Sequence, residues 1–270
     1  MIKQAIIPLA GLGTRLLPLT SVLPKELLPI NGKPGLEYIL EECVSAGIKE
    51  IIFVISGKKK IIREYFYKDK FFERIISKKK DKRIKTEYSK IKKFKKMIKF
   101  VYQNSPRGTG DAVFKCRKLI KSNFFLMLLP DDLIIKNNCS KSMLKLHKKY
   151  NSSVIASKKV MRKDVSRWGI FKIKKMKKNN FIIKDVIEKP NIKSAPSNHA
   201  VIGRYILPTK IFKIIKKQKP GQNGEIHITD AIRALIQQNY KFIGHTFTGK
   251  YLDCGTMKGY INSSIEISKL

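Results

Sequence analysis

Two strings near the N-terminus hold residue types able to handle a polyphosphate. The first, Pro8-Leu9-Ala10-Gly11-Leu12-Gly13-Thr14-Arg15, directly follows the apolar run that begins at Ala5. Small residues after a strand let backbone N–H groups come close to a phosphate, the physics shared by glycine-rich phosphate loops. The spacing excludes two common versions of such a loop. A dinucleotide-binding GxGxxG needs glycine where Leu16 stands, and no GK[ST] closes a P-loop. The second string, Pro24-Lys25-Glu26-Leu27-Leu28-Pro29, supplies Lys25 as a companion to Arg15. Two such cations can neutralise a departing polyphosphate. Taken alone, GxG after a strand is also an ordinary tight turn, and Lys25 is also ordinary surface charge; the combined string is the specific signal.

The elements that must position these residues are legible as continuous apolar runs. Ala5 to Pro8, Ile51 to Ile55 and Phe124 to Leu129 read as strands buried on both faces of a parallel sheet. Between the first two, Leu36, Ile39, Leu40 and Cys43 follow the i, i+3, i+4, i+7 pattern of a helix over 36–46, with Gly47 placed to close it in the left-handed conformation. A second helix begins near Thr109 or Gly110, with Asp111 in its first turn. From about Ser152 the chain becomes strand-rich, at 154–156, 169–173, 181–188 and 201–206, and turns helical again from Thr229, a residue type suited to the N-cap. Strands alternating with helices predict an α/β fold: a three-layer Rossmann-like, mixed but mainly parallel sheet with helices on both faces. With no repeat and no flexible linker, residues 1–270 read as one domain, with a first half over 1–135 and a second half, ending in helices, over 136–270.

Composition narrows the class further. The 270 residues are 43% hydrophobic with a formal net charge of +38, enough apolar material for a core despite the charge. The basic residues are 48 Lys against ten Arg, and residues 78–99 alone hold twelve Lys or Arg with two acids. Arg is the usual carrier of bidentate base recognition, and no nucleic-acid-binding module accompanies the charge. The charge therefore reads as lysine-rich composition, with weak, salt-sensitive adsorption to polyanions and no specific nucleic-acid partner. Ile84, Tyr88 and Ile91 at helical spacing make 78–99 a solvated helical insertion. No apolar run reaches the roughly 18 residues of a membrane-spanning helix, and no secretory signal leads the chain, so a cytoplasmic location without membrane contact is expected. Cys43, Cys116, Cys139 and Cys254 form no CxxC pair and read as reduced thiols; His147, His199, His227 and His245 lack ligand spacing.

The strings Ile7 to Pro18, Pro24 to Ile30, Ala46 to Ile51, Leu129 to Asp132, Val186 to Pro190, Val201 to Tyr205, Gly224 to Ile232 and Leu252 to Gly255 run in the order found in one family. In them the sequence resembles the sugar-phosphate nucleotidyltransferases, most closely the bacterial UTP–glucose-1-phosphate uridylyltransferases. The resemblance implies transfer of a uridylyl group from UTP to glucose 1-phosphate, giving UDP-glucose and pyrophosphate by in-line attack. Such chemistry needs alignment and charge neutralisation more than a nucleophile-base pair. It implies Mg²⁺, a hard cation suited to oxygen ligands, and a homo-oligomeric assembly.

Residue by residue, the resemblance assigns Asp131 and Asp253 to the metal, and Arg15, Lys25, Asp131 and Lys189 to catalysis. Ala10, Gly11, Gly13 and Thr14 would approach the nucleotide, while Gln103, after a strand over Ile98 to Tyr102, and Gly108 match the uracil-reading positions. Gly169, Glu188, Lys189 and Gly203 match the sugar-phosphate pocket, with Arg204 behind them. Without the family context, Asp131-Asp132 and Asp253 are also turn or cap residues, Glu188-Lys189 a surface pair, and Thr229-Asp230 a helix start. Some positions depart from the family pattern. Leu9 replaces a small residue and could crowd the nucleotide loop, Asp111 stands where His is common, Asp132 where Val is, Asn31-Gly32 where Val-Asp or Tyr-Asp is commoner, and Arg167-Trp168 precedes Gly169. Two alternatives stay open at this stage: a thymidylyltransferase using dTTP, since one methyl is worth only about 1–3 kcal/mol in a pocket, and a non-catalytic regulatory paralogue, against which Thr14-Arg15 argue.

Overall fold

The structure, a computed structural model, describes residues 1–67, 70–221 and 224–270, with the backbone alone over 70–72. In chain order the elements are β1 (Gln4–Pro8), β2 (Pro29–Ile30), β3 (Lys33–Pro34), α1 (Gly35–Ser45), β4 (Glu50–Ile55), α2 (Lys60–Tyr67), α3 (Lys70–Lys78), α4 (Lys82–Lys95), β5 (Ile98–Tyr102), α5 (Gly108–Lys115), β6 (Phe124–Leu128), β7 (Asp132–Ile135), α6 (Cys139–Tyr150), β8 (Ser153–Lys159), β9 (Ile170–Lys177), β10 (Asn180–Ile187), β11 (His199–Pro208), α7 (Ile211–Lys217), α8 (Ile228–Gln237), β12 (Phe242–Thr246), β13 (Lys250–Asp253) and α9 (Met257–Ser268). Nine strands form one sheet in the order β5-β4-β1-β6-β11-β8-β12-β10-β9.

The apolar runs form strands because both faces of the sheet are covered. Ala5, Ile7, Ile51, Phe53, Leu126 and Leu128 join one hydrophobic cluster with residues of α1, α2, α6 and α9. Their neighbours Ile6, Ile52, Val54, Phe125 and Met127 point the other way, into a cluster with residues of α5, α7 and α8. The strand period of two is thus used twice, which is why these segments read as unbroken hydrophobic stretches rather than alternating ones. α1 buries the Leu36, Ile39, Leu40 and Cys43 stripe. It ends as expected, with Gly47 at φ +86° and the Ile48 N–H donating to the Cys43 carbonyl at 3.0 Å.

The mainly parallel sheet expected from the sequence is found in one half only. β5, β4, β1 and β6 pair in parallel. Beyond β6 the pairings turn antiparallel, β11 against β6 and β8, and β10 against β12 and β9, leaving β8–β12 as a parallel exception. The physical reason lies in β9 and β10, two amphipathic strands joined by a tight connection: Lys172, Lys174 and Lys175 on β9 and Lys184 on β10 face outward, so this edge presents a half-solvated hairpin. The basic stretch folds as the expected helical insertion. Asp81 caps α4 by accepting from the Arg83 and Ile84 N–H groups, and Phe94 anchors its C-terminal end. The predicted N-cap at Thr229 is displaced. α8 starts at Ile228 behind His227, and the Thr229 hydroxyl is spent elsewhere, as described below.

The sheet order also fixes where a ligand can sit. After β1 the chain moves outward through β4 and β5, then returns to lay β6 on the other side of β1. The connections leave β1 and β6 in opposite directions, so a crevice opens between their C-terminal ends, the switch point at which open α/β sheets place ligands. Pro8 and Leu128, the last residues of β1 and β6, deliver the glycine loop and Asp131 to that crevice.

Candidate active site

Two adjoining clefts open at the switch point and share Asp131, Leu129, Thr109 and Glu225 in their walls. The first is lined by Ala10, Gly11, Gly13, Thr14, Lys25, Gln103 and Gly108. The second is lined by Arg15, Gly169, Glu188, Lys189, Gly203 and Asp253. Every site residue expected from the sequence thus lines one cleft or the other, and Asp131 stands between them.

The glycine loop holds its shape through local bonds. Gly13 adopts φ +72°, a left-handed conformation that strains any other L-residue, and its carbonyl accepts the Thr20 hydroxyl at 2.9 Å. Leu9 does not crowd the loop. Its side chain is fully buried in the core, its N–H donates to the Val54 carbonyl, and only its neighbours Pro8 and Ala10 reach the cleft.

Beneath the loop lies a pair that sequence reasoning missed. Lys59, the middle one of three consecutive lysines at 58–60, is buried. Its ammonium donates to both Glu26 carboxylate oxygens, at 2.9 and 2.8 Å, and to the Leu9 carbonyl at 2.7 Å. Burial pulls the Lys59 ammonium below the usual lysine range, with the Glu26 carboxylate resisting. This pair ties the Pro24–Pro29 string to the end of β1, so that Lys25 next door projects at Asp131. The signal that could have found it is Glu26, an acid inside an otherwise apolar and cationic string.

At the junction of the clefts, the Lys25 ammonium lies 2.5 Å from Asp131 Oδ2 and the Arg15 guanidinium 3.8 Å from the same oxygen. Burial alone would raise the Asp131 carboxyl, but Lys25 and Arg15 reverse this and hold it below the usual carboxylate range. Asp253 ends β13, which pairs with β7 directly opposite Asp132. Its Oδ2 accepts from Arg167 at 2.9 Å, and its Oδ1 accepts the Gly255 N–H at 2.9 Å. The two carboxylates converge over Gly255. A Cβ added there would lie 3.0 Å from Asp131 Oδ2 and 3.1 Å from Asp253 Oδ1, so one point in the cleft sees both oxygens.

The oxygen donors Asp131 and Asp253 suit a hard divalent cation, with substrate phosphates and water able to complete an octahedron. Among the described residues no group of three His, Cys, Asp or Glu side chains is placed to hold a metal ion by itself. The site therefore fits a cation that arrives with, or is completed by, a phosphate ligand.

A buried scaffold holds this junction. Arg204, fully buried, directs all its donors inward: to Glu42 on α1 at 2.8–3.1 Å, and to the backbone carbonyls of Leu129, Gly203 and Asp132. It clamps the segment carrying Asp131 between α1 and β11. Asp132 sits inside the clamp, accepting from the Tyr251 hydroxyl at 2.6 Å and the Gly203 N–H at 2.8 Å. Burial first, then the neighbouring Asp131 charge, push its carboxyl up to about 6. Gly203 is required by this crowding, because a Cβ there would come within 2.5 Å of both Asp132 Oδ2 and Leu129 Cβ.

In the second cleft, Glu188 Oε2 accepts the Thr229 hydroxyl at 2.8 Å, and Gly169 leaves room beside that carboxylate. Thr229, set aside from the sequence as a helix start, is therefore a wall residue that orients Glu188. Lys189 follows at φ +43° with its N–H donating to the Trp168 carbonyl. In the first cleft, Gln103 closes β5 with a buried side chain, and Gly108 at φ +91° packs against Ile226, whose carbonyl a Cβ would meet at 2.6 Å.

A glycine loop and an acidic strand end meeting at a switch point, backed by cations on the same carboxylate, define a nucleotide-handling α/β protein, and the chain belongs to the nucleotidyl transferase family, whose model matches residues 4–269. It is similar to UTP–glucose-1-phosphate uridylyltransferase of Bacillus subtilis, at 36% identity over 99% of this chain and 91% of the relative. It is also similar to UTP–glucose-1-phosphate uridylyltransferase 1 of Staphylococcus saprophyticus, at 35% over 99% of this chain and 93% of the relative. Among solved structures, a UDP-glucose pyrophosphorylase complexed with UDP-glucose superposes with a TM-score of 0.89 at 36% identity, covering 100% of this chain and 99% of the other.

Proposed function

We propose that the protein transfers a uridylyl group from UTP to glucose 1-phosphate, releasing pyrophosphate. The observation that carries this reading is the placement of Asp131, Lys25 and Arg15 where a nucleotide-sized cleft meets one walled by Glu188 and Lys189. The full-length likeness to uridylyltransferases supports the choice of substrates.

In this reading, a phosphate oxygen of glucose 1-phosphate attacks the α-phosphorus of UTP while the bond to the β-phosphate oxygen breaks and pyrophosphate leaves with the electron pair. The backbone from Ala10 to Thr14 cradles the triphosphate, and Gln103 and Gly108 meet the base. Arg15 and Lys25 neutralise charge as pyrophosphate departs. Glu188 accepts from sugar hydroxyls, Gly169 and Gly203 leave space for the ring, and Lys189 holds the sugar phosphate in line. Asp131 and Asp253 would hold Mg²⁺, which when bound supplies charge neutralisation at the reacting phosphates. Lys25 and Arg167 pair with these two carboxylates. Residues 1–135 and 136–270 then act as nucleotide and sugar halves of one three-layer Rossmann-like domain. A homo-oligomer working in the cytoplasm, where the four free cysteines stay reduced, completes the reading.

The test is pyrophosphate release from UTP plus glucose 1-phosphate with Mg²⁺, beside dTTP and metal-free arms. Metal-dependent release favouring UTP is expected. Preference for dTTP would move the substrate within the family. No release from either by a folded protein that binds nucleotide would overturn the enzymatic reading. Light scattering on the same sample checks the assembly.

A further inference from the structure

Gln103 carries a constraint that the cleft itself does not require. Its backbone N–H donates to the Ile55 carbonyl, fixing the end of β5. Its side-chain Nε2 donates to the Gly108 carbonyl at 3.1 Å and to Asp111 Oδ2 at 2.7 Å. Both amide hydrogens are therefore consumed within the protein. The amide oxygen accepts from no described residue, and it is absent from the buried polar atoms lacking a partner, so it keeps contact with the cleft that Gln103 lines.

The direction of this amide is set by what faces it. A carboxylate and a carbonyl can only accept. Rotating the amide by half a turn would set its oxygen against two acceptors and leave its hydrogens without them. Asp111 is half-buried, with Lys115 3.9 Å from the same oxygen as its nearest counter-charge. Lys115 reaches Asp111 from one turn further along α5 and leaves the Gln103 contact intact.

We propose that Asp111 is a positioning residue for base selection: by locking the Gln103 amide with its oxygen toward the cleft, it makes this wall accept a hydrogen bond from the ring nitrogen of a pyrimidine and repel one that offers a lone pair. Uracil carries N–H at that ring position and cytosine a bare nitrogen. The locked oxygen thus favours UTP over CTP, and it treats uracil and thymine alike. Polar sites of this kind discriminate strongly because the wrong partner leaves a buried group unpaired. The inference rests on the first cleft being the nucleotide site of the proposed function.

Asp111→Asn tests it with almost no change of shape. The asparagine amide can donate as well as accept, so the flipped state of Gln103, which faces two acceptors in the wild-type protein, gains a donor at position 111 and is opposed by the Gly108 carbonyl alone. The ratio of kcat/KM for UTP over CTP, with glucose 1-phosphate, is expected to fall about tenfold or more in Asp111→Asn. Asp111→Glu keeps an acceptor-only group and is expected to restore most of the preference. An unchanged ratio in Asp111→Asn, with both nucleotides losing turnover equally, would reduce Asp111 to a structural role and overturn the proposal. Should Asp111→Asn fail to fold, Asp111→Ser carries the same expectation through a hydroxyl that also donates. Calorimetric binding of UTP and CTP without the sugar is read in parallel. If the wild-type protein prefers UTP in binding, Asp111→Asn loses that preference, and neither releases pyrophosphate, the proposed reaction fails while the role of Asp111 stands. If it binds the two nucleotides equally, the role of Asp111 fails.

Discussion

The floor of the two clefts and the basic insertion are built from the same residue type and behave oppositely. Lys25 and Lys59 meet carboxylates inside the protein, where little solvent screens them. The insertion over α2 to α4 holds many more lysines, but the ion pairs among its described residues are exposed. Lys90 pairs with Glu87 and Lys92 with Glu73 through side chains that are roughly half exposed. Such pairs contribute about 0–1 kcal/mol each before salt weakens them further. Charge density along the sequence therefore says little about where charge acts. What separates the regions is a carboxylate buried opposite the ammonium.

The strongest way to break this contrast is at Asp131, where two cations converge on one carboxylate. Asp131→Asn is expected to lower metal-dependent turnover about a thousandfold, equivalent to about 4 kcal/mol of transition-state stabilisation, with the fold intact. Near-normal turnover at saturating Mg²⁺, with an unchanged circular dichroism spectrum, would remove Asp131 from the centre of the site. Lys59→Met comes next and reads out in stability. It strips the donor from a buried Glu26 carboxylate and from the Leu9 carbonyl, and such one-sided removals cost about 3 kcal/mol. Denaturant unfolding should show that loss, and an unchanged midpoint would mean that Glu26 finds another partner or water.

These two residues also show how unevenly the sequence discloses the molecule. That Asp131, Arg15 and Lys25 meet was foreseen from their short strings only together with the family resemblance, while β1 and β6, which lead to Arg15 and Asp131, are legible because they are apolar on both faces. Lys59 was hidden in a run of three lysines, since nothing local distinguishes a lysine that will meet Glu26 across 33 positions. Arg167 was noticed only as a departure, although it binds Asp253 across 86 positions. Thr229 has the right chemistry for a helix cap, and only the packing of α8 on β10 shows that its hydroxyl belongs to Glu188. The antiparallel half of the sheet was missed for a related reason: pairing direction depends on which strands become neighbours, and β11 inserts between β6 and β8 long after either is written. Local physics marks what a loop can do; long-range pairing decides which polar groups share a site.

A finer cut through the comparison separates the two clefts. Lys189 lines only the second one, beyond the junction, whereas Lys25 lines the first. Lys189→Ala is expected to raise KM for glucose 1-phosphate about tenfold, about 1.4 kcal/mol, while KM for UTP changes little. Initial-rate measurements with each substrate varied in turn decide it, and an effect confined to UTP would move Lys189 to the nucleotide side.

The smallest effect is expected where the sequence is most basic. Lys92 and Lys93 on α4 are exposed, Lys92 reaching Glu73 and the Tyr88 ring at the surface. Replacing both by Gln should shift stability by no more than about 0.5 kcal/mol and leave turnover unchanged, as for most surface substitutions. The same pair bears on the residual charge question, because lysines that act as a solvated face bind polyanions only through counterion release. Binding of a generic duplex DNA should therefore be weak at 0.15 M salt, fall steeply as salt rises, and weaken by a similar factor for any sequence in the double variant. Tight binding that survives 0.15 M salt and collapses in the variant would make the insertion a second functional region, and the contrast with the cleft floor would have to be drawn again.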